Sequence, residues 1–331
     1  MPVRNEAGYI IKVLDAIYKQ DYPANLLEVI VADGLSDDGT MEKINTFIES
    51  HPQFRIQVIE NRGRIVPTAL NQAIRLTQNE VIIRLDAHSV YPNNYISRLV
   101  EGLFKYEADN IGGVFRTLPF NGSLVAKAIA YTMSSSFGVG NSYHRIGAGQ
   151  PCEVDTVPYG CFRRSVFDRI GLFDEELVRN QDDEFNGRMR KNGLKVFMIP
   201  DLYIDYYARD SFHKLGKMFY QYGLFKPLTV QKLKTMPSVR QLVPALFVLF
   251  LFGGFILGLL WPPMMMLYVA LLLVYVGVIG VLSLKQGFKL APYVATGFFV
   301  IHFYYGVGYL KGLLALIFKQ KQTFKISSIS R

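Results

Sequence analysis

LEVIVADGLSDDGT, residues 27–40, is the stretch on which the reading of the fold turns. LEVIVA is a short β-rich run. Asp33, Gly34, Ser36 and Gly39 then supply the turn and capping chemistry that closes a strand and opens a helix. A second run of this kind, EVIIRL at 80–85, also stops at an aspartate, in Asp86-Ala87-His88. Outward from these two, helical patterns lie around 8–20, 40–50 and 66–77, with a further strand near 55–59. Strand and helix alternate over the first 205 residues, which predicts an α/β fold with a mainly parallel sheet and helices on both faces. Open sheets of this type bind ligands beyond the carboxyl ends of their strands, where Asp33 and Asp86 stand.

Asp33 either closes a strand–turn–helix junction or accepts a hydrogen bond from a nucleobase imide. Asp86 and His88, at i and i+2 past a strand end, can share one divalent ion with the ligand it holds. Hard cations prefer carboxylate and phosphate oxygens, and Mn²⁺ tolerates an imidazole better than Mg²⁺ does. Asn180-Gln181-Asp182-Asp183-Glu184-Phe185 precedes Arg188, Arg190 and Lys191. This is either a helix with acids at its positive end or the source of a carboxylate that takes a proton from an attacking hydroxyl. A single displacement at a sugar carbon needs only one such base, and it inverts the anomeric centre.

The chain of 331 residues accommodates one large domain and an appendage. Residues 211–331 hold 13 Lys and Arg and no acid, so all 27 Asp and Glu fall in 1–210. The net charge of +9 therefore sits among apolar runs, which points to anionic lipid headgroups and away from nucleic acid. Stretches 242–260 and 264–284 are uncharged and long enough to cross ~30 Å of hydrocarbon, and Trp261-Pro262-Pro263 turns between them. A third apolar stretch, 291–318, carries His302 and Lys311; it spans fully or lies flat from about Lys311. With the N-terminal part in the cytosol, the hairpin returns Lys285 and Lys289 there, whereas a third crossing sends Lys319, Lys321 and Lys325 outside. Lysines and aromatics alternate through 211–240, as in a basic amphipathic segment lying at the lipid interface. Cys152 and Cys161 are read as reduced, packed side chains, and Arg4, Asn5 and Glu6 stand where a secretory signal would need apolar residues.

Together these motifs resemble the family-two inverting glycosyltransferases of the GT-A fold. Within them the chain is similar to the succinoglycan-type exopolysaccharide transferases, which extend a lipid-linked sugar chain. The resemblance covers residues 2 to about 225, and membrane-bound tails are common in the family. It implies a Rossmann-like GT-A domain at 1–210, with an interfacial segment at 211–240 and a membrane region at 241–331. Pro2-Val3-Arg4-Asn5-Glu6 matches the start of the family's nucleotide site, so Pro2 and Glu6 are expected beside the donor. By the same resemblance Asp33 reads uracil, Asn71 lies beside the nucleoside, and Asp86-Ala87-His88 stands at the metal motif. Pro158-Tyr159-Gly160 with Arg163-Arg164 matches the acceptor floor, giving Tyr159 and Gly160 acceptor-side places. Asp182 matches the general base, with Asp183 next to it on the acceptor side.

Three departures accompany the match. The family's apolar strand before the proline is missing, so the first strand reads as truncated. His88 replaces a second acid, and Gln181 replaces a glutamate. Processive synthases carry a Gln-x-x-Arg-Trp signature; here Tyr-Gly-Leu-Phe follows Gln221 and Trp261 is the only tryptophan, which implies single-sugar addition. The expected protein is a multi-pass inner-membrane hexosyltransferase with a cytosolic catalytic domain. It uses Mn²⁺ or Mg²⁺, a UDP-sugar and a lipid-linked or polysaccharide acceptor. The competing readings are a membrane-anchored nucleotide-binding protein without catalysis and a nucleotidyltransferase.

Overall fold

The computed structural model describes residues 1–324, so Lys325 lies outside the described residues. Two compact units divide the chain, one of Met1–Arg116 and Tyr143–Tyr206, the other of Thr117–Ser142 and the residues from Tyr207 onward. The segment around 115–160, from which the sequence analysis draws no element, thus contributes to both.

The first unit holds two sheets. Strands β1 (Pro2–Val3), β2 (Val29–Asp33) and β3 (Ile56–Glu60) pair in parallel in the order β1-β2-β3. The helices Ile10–Tyr18 and Thr40–Ser50 connect them, burying Ile10, Val13, Leu14 and Ile17 from one and Ile44 and Phe47 from the other. Those spacings are the helical apolar stripe that the sequence shows, and the residues form one core with Val31.

The remaining strands are β4 (Val81–Ile83), β5 (Ser89–Val90), β6 (Asn110–Leu118), β7 (Cys152–Glu153), β8 (Cys161–Arg163) and β9 (Val196–Tyr207). They run in the order β4-β8-β6-β9-β5, with β7 beside β9. The pairings β4–β8, β6–β8, β5–β9 and β7–β9 are all antiparallel. The expectation of a mainly parallel sheet therefore needs correction: β1, β2 and β3 pair in parallel, these four pairings are antiparallel, and the fold has mixed sheets. A parallel neighbour requires a crossover, commonly helical, whereas β8 and β9 return as antiparallel partners. β5 and β7 are two residues long and leave no run to read. Gly113 in β6 permits a close approach of β9, since a Cβ there would lie 2.2 Å from the Leu202 carbonyl oxygen.

A second core of the same unit stacks Phe162, Phe167, Phe173 and Phe185, with the last two centroids 4.3 Å apart. It seats the helix Gln181–Lys191, which a buried polar chain also holds. Asn110 Nδ2 donates to Asn186 Oδ1 at 2.7 Å, and Asn186 Nδ2 donates to Thr156 Oγ1 at 2.8 Å.

In the second unit three helices are long and apolar enough to cross a membrane: Val239–Leu260, Pro262–Leu284 and Ala291–Ile317. The apolar windows of the first two are only 17% and 6% buried, so nearly all of that surface faces outward. A turn of π-helix, Phe250–Gly254, interrupts the first. The third runs unbroken through Lys311, whose ammonium lies over the Tyr220 ring. His302 is accommodated by two partners: its Nε2 pairs with the Phe137 carbonyl at 2.8 Å and its Nδ1 with the Tyr275 hydroxyl at 3.0 Å.

The basic segment after 210 forms the helix Phe212–Leu233, and much of its apolar face is covered by protein. It meets Ala291–Ile317 backbone to backbone. A Cβ on Gly223 would stand 2.1 Å from the Tyr305 carbonyl oxygen, and on Gly308 2.2 Å from that of Tyr220. Glycines at such crossings let helices approach where lipid offers no hydrophobic drive to pack them.

Candidate active site

The loops that follow β1 and β2 are locked together. Asn5 and Leu35 adopt left-handed backbone, with φ of 56° and 59°. The Asn5 amide N–H donates to Ser36 Oγ at 2.9 Å, and its side chain exchanges two hydrogen bonds with Asp37. The Glu6 N–H donates to Thr40 Oγ1 at 2.8 Å and the Ala7 N–H to Asp38 Oδ2 at 3.1 Å. Desolvation opposes the charge of Asp38, but the hydrogen bonds from Thr40 and Ala7 hold its carboxyl below the usual range.

Asp33, at the carboxyl end of β2 and paired in register with Val3, is buried and accepts from the amide and hydroxyl of Ser36 at 3.1 and 2.5 Å. A carboxylate has about four lone-pair sites, so two remain for a ligand. Pro2 lies beside it in β1, opposite Ala32.

Past β4 the chain places Asp86 in a buried setting. Its Oδ1 accepts from Arg84 Nε at 2.9 Å and its Oδ2 from Arg84 Nη2 at 3.0 Å. Its backbone N–H donates to the Tyr91 hydroxyl at 2.8 Å, which returns a bond to the Asp86 carbonyl at 3.1 Å. Burial works against the Asp86 charge, but Arg84 outweighs it and holds the carboxyl below the usual range. His88 Nδ1 lies 3.4 Å from Glu6 Oε1, so the metal motif and the first loop meet.

Tyr159 and Gly160, expected on the acceptor side, lie against the same arginine. The Arg84 guanidinium sits over the Tyr159 ring, 5.5 Å from its centroid, and the Arg84 N–H donates to the Gly160 carbonyl at 3.0 Å. Tyr159 and Gly160 both have positive φ, 61° and 97°, and the Tyr159 hydroxyl is 2.5 Å from Ser89 Oγ. Burial, with the Asp86 charge, pushes the Tyr159 hydroxyl well above its ordinary value, so it stays protonated. A non-glycine residue in left-handed backbone is a local cost that tends to mark working sites.

Asp182 and Asp183 occupy the first turn of Gln181–Lys191, after Asn180 in left-handed backbone. The Asp183 N–H donates to Asp182 Oδ1 at 3.0 Å, and Asp182 is among the charges that act on Arg84. Glu184 is instead committed to Arg188, whose Nε and Nη2 each lie 2.9 Å from its carboxylate.

The structure thus brings Asp86, Tyr159 and Gly160 against Arg84, and His88 near Glu6. Asn71, expected beside the nucleoside, is bound within the protein. Its amide donates to the Phe173 carbonyl and to Glu175 Oε1 and accepts from the Phe173 N–H, so it pins the 173–175 loop. Arg163 and Arg164 likewise serve backbone carbonyls, of Ala108 and Leu103 in one case and of Thr77 and Ile74 in the other. Arg84, Tyr91 and Ser89 carry no assignment in the sequence analysis. Strand alternation offers the missing signal for Arg84, because residues i and i+2 share a face and Arg84 shares that of Asp86.

A divalent cation suits this donor set. The His88 imidazole beside the Glu6 carboxylate offers mixed nitrogen and oxygen donors of the kind Mn²⁺ accepts. The His88 Nδ1 is buried and makes no hydrogen bond, so it is available to such an ion. Among the described residues no group of three or more His, Cys, Asp or Glu forms a ready metal cluster. Most of the shell would have to come from ligand oxygens and water, as is common for cations held on substrate phosphates.

A sequence model of glycosyl transferase family 2 matches residues 1–171. The chain is 30% identical over 325 residues to the succinoglycan biosynthesis protein ExoA of Rhizobium meliloti (strain 1021), spanning 95% of this chain and 94% of that one. It is 26% identical over 331 residues to the dolichyl N-acetyl-alpha-D-glucosaminyl phosphate 3-beta-D-2,3-diacetamido-2,3-dideoxy-beta-D-glucuronosyltransferase of Methanococcus voltae, spanning 98% of each. Among solved structures, the mannosyltransferase PcManGT from Pyrobaculum calidifontis, in complex with GDP-Man and Mn²⁺, superposes with a TM-score of 0.60 at 20% identity, over 94% of this chain and 85% of that one. S. aureus TarS 1–349 with UDP-GlcNAc gives 0.52 at 17% identity, over 94% and 90%. These likenesses establish a shared fold.

Proposed function

Because the chain belongs to glycosyl transferase family 2, has the GT-A fold and is a glycosyltransferase of polysaccharide or glycan synthesis, we propose that it transfers a hexose from a UDP-sugar, with inversion, to a lipid-linked or polysaccharide acceptor. One sugar is added per encounter. The catalytic unit faces the cytosol, and the apolar helices cross the inner cell membrane.

The observation that supports this reading is that the buried Asp86 is bound at both oxygens by Arg84, on which the charge of Asp182 also acts. A single displacement needs a carboxylate base on the acceptor side and charge stabilisation on the leaving-group side, and on this reading Asp182 and Asp86, far apart in the chain, provide the two. Asp182 takes the proton of the acceptor hydroxyl, and the positive end of its helix favours the anion it must be to do so. Asp183 stands beside it on the acceptor side, over a floor formed by Tyr159 and Gly160. Asp33 accepts from the base imide with Pro2 next to it, and Glu6 lines the donor side. A divalent ion held by Asp86 and His88, Mn²⁺ or Mg²⁺, supplies charge neutralisation at the leaving diphosphate when bound.

The relative from Methanococcus voltae is named for a dolichyl-phosphate-linked acceptor, which supports a lipid-linked acceptor here. The two structural neighbours hold different bases, GDP-Man in one and UDP-GlcNAc in the other, so the fold does not choose between them. Asp33 is the reason to expect uracil. The test is a donor screen with membranes carrying the full chain, Mn²⁺, UDP- and GDP-sugars, and a lipid-diphosphate acceptor extract. UDP-sugars should be used in preference, and Asp33→Ala should lose that preference by about tenfold to a hundredfold, the cost of roughly 1–3 kcal/mol for a hydrogen bond unmade. Equal use of GDP-sugars by the unaltered chain overturns the uracil assignment.

A further inference from the structure

Arg84 is the buried cation at the centre of this site, and nothing said so far gives it a task of its own. Two of its three guanidinium nitrogens, Nε and Nη2, are bound to the Asp86 carboxylate. The third, Nη1, is buried and has no hydrogen-bond partner. The Tyr159 ring covers the guanidinium, so the group has little freedom to turn its idle nitrogen to another protein atom. A desolvated cationic donor left without an acceptor is costly and calls for an explanation, and an anionic ligand that completes it is one.

We propose that Arg84 Nη1 binds an oxygen of the donor's diphosphate, while Nε and Nη2 hold Asp86 in the orientation that the metal requires. This rests on the nucleotide-sugar reading above. Of the groups a nucleotide sugar presents, the diphosphate oxygens alone are both negatively charged and acceptors only, the complement of a group that only donates. Asp86, to which Arg84 is bolted, is the residue of the metal motif that faces that diphosphate. Arg84 is thus a fixed positive charge at the leaving group, where the usual second acid of the metal motif has given way to His88.

The test is a binding titration of the full-length chain in detergent with uridine, UMP and UDP, the guanosine series in parallel, each with Mn²⁺ and with EDTA. Arg84→Gln should weaken diphosphate binding at least tenfold while leaving nucleoside and monophosphate within twofold. Arg84→Lys should fall between, because an ammonium keeps the charge but lacks the planar fork that holds both Asp86 oxygens while a third nitrogen faces the ligand. A parallel loss for nucleoside and diphosphate makes Arg84 merely structural and overturns the proposal, as does unchanged diphosphate binding. Should both variants fail to fold, the unaltered chain decides: in EDTA it should still prefer diphosphate over monophosphate at least fivefold, and equal binding overturns the proposal. If the unaltered chain binds none of these nucleotides under any condition, the donor reading falls and this inference with it.

Discussion

His88 Nδ1 stands 3.4 Å from Glu6 Oε1, which joins the segment after β4 to the loop after β1. The two sequence signals read separately as a metal motif and a nucleotide-site entrance are one place in the fold. An imidazole in the metal motif favours a softer cation than a second carboxylate would.

Metal removal and a single substitution test this. EDTA should abolish turnover, and Mn²⁺ should restore more of it than Mg²⁺. His88→Asp should reverse the order, because it returns an all-oxygen set, and a ratio of Mn²⁺- to Mg²⁺-supported rates reads the change. Full turnover in EDTA removes Asp86 and His88 from any metal role.

Asp182→Asn should lower turnover by roughly a hundredfold or more with donor binding nearly intact, since the amide keeps the shape and loses the basicity. The assay pairs initial rates with nucleotide titration. Loss in Asp183→Asn alone moves the base to the neighbour. Undiminished rates in both variants overturn the single-displacement mechanism with a base from this acidic cluster.

Packing in the second unit gives a prediction about stability. Gly223→Leu should lower the thermal unfolding midpoint of the full chain in detergent, because its Cβ alone would stand 2.1 Å from the Tyr305 carbonyl oxygen. Overpacking typically costs about 1–3 kcal/mol, and a backbone clash exceeds what a rotamer change relieves. Gly277→Leu, where a Cβ meets nothing within 4 Å, should leave the midpoint in place. A similar fall in both would show that the close crossing of helices contributes nothing.

Much of the first half was legible because its elements obey local rules. The run ending at Asp33 is β2, and the patterns near 8–20, 40–50 and 66–77 are the helices Ile10–Tyr18, Thr40–Ser50 and Val66–Leu76. The apolar stretches were equally plain, since a span is a matter of length and composition. What failed to show was whatever depends on distant partners. Asn71 gives no local hint that its amide binds Phe173 and Glu175, more than a hundred residues on. The helix Leu124–Met133 is short and flanked by serine and glycine, so its apolar face had no visible partner. Arg84, just past β4 in the run EVIIRL, reads as a solvent-facing charge until Asp86 is seen to pair with it.

The crossing of Phe212–Leu233 with Ala291–Ile317 also sets an order of events during synthesis. The first of these helices leaves the ribosome while the second has yet to be made, and two helices long and apolar enough to cross a membrane are made in the interval. At ~5–20 residues per second the wait is on the order of 10 s. Throughout it Gly216 and Gly223 line a groove that its eventual occupant, around Tyr304 and Tyr305, cannot yet fill. Chains that stall or are cut before residue 291 would present that groove bare, a mark by which quality control could tell an unfinished molecule from a finished one.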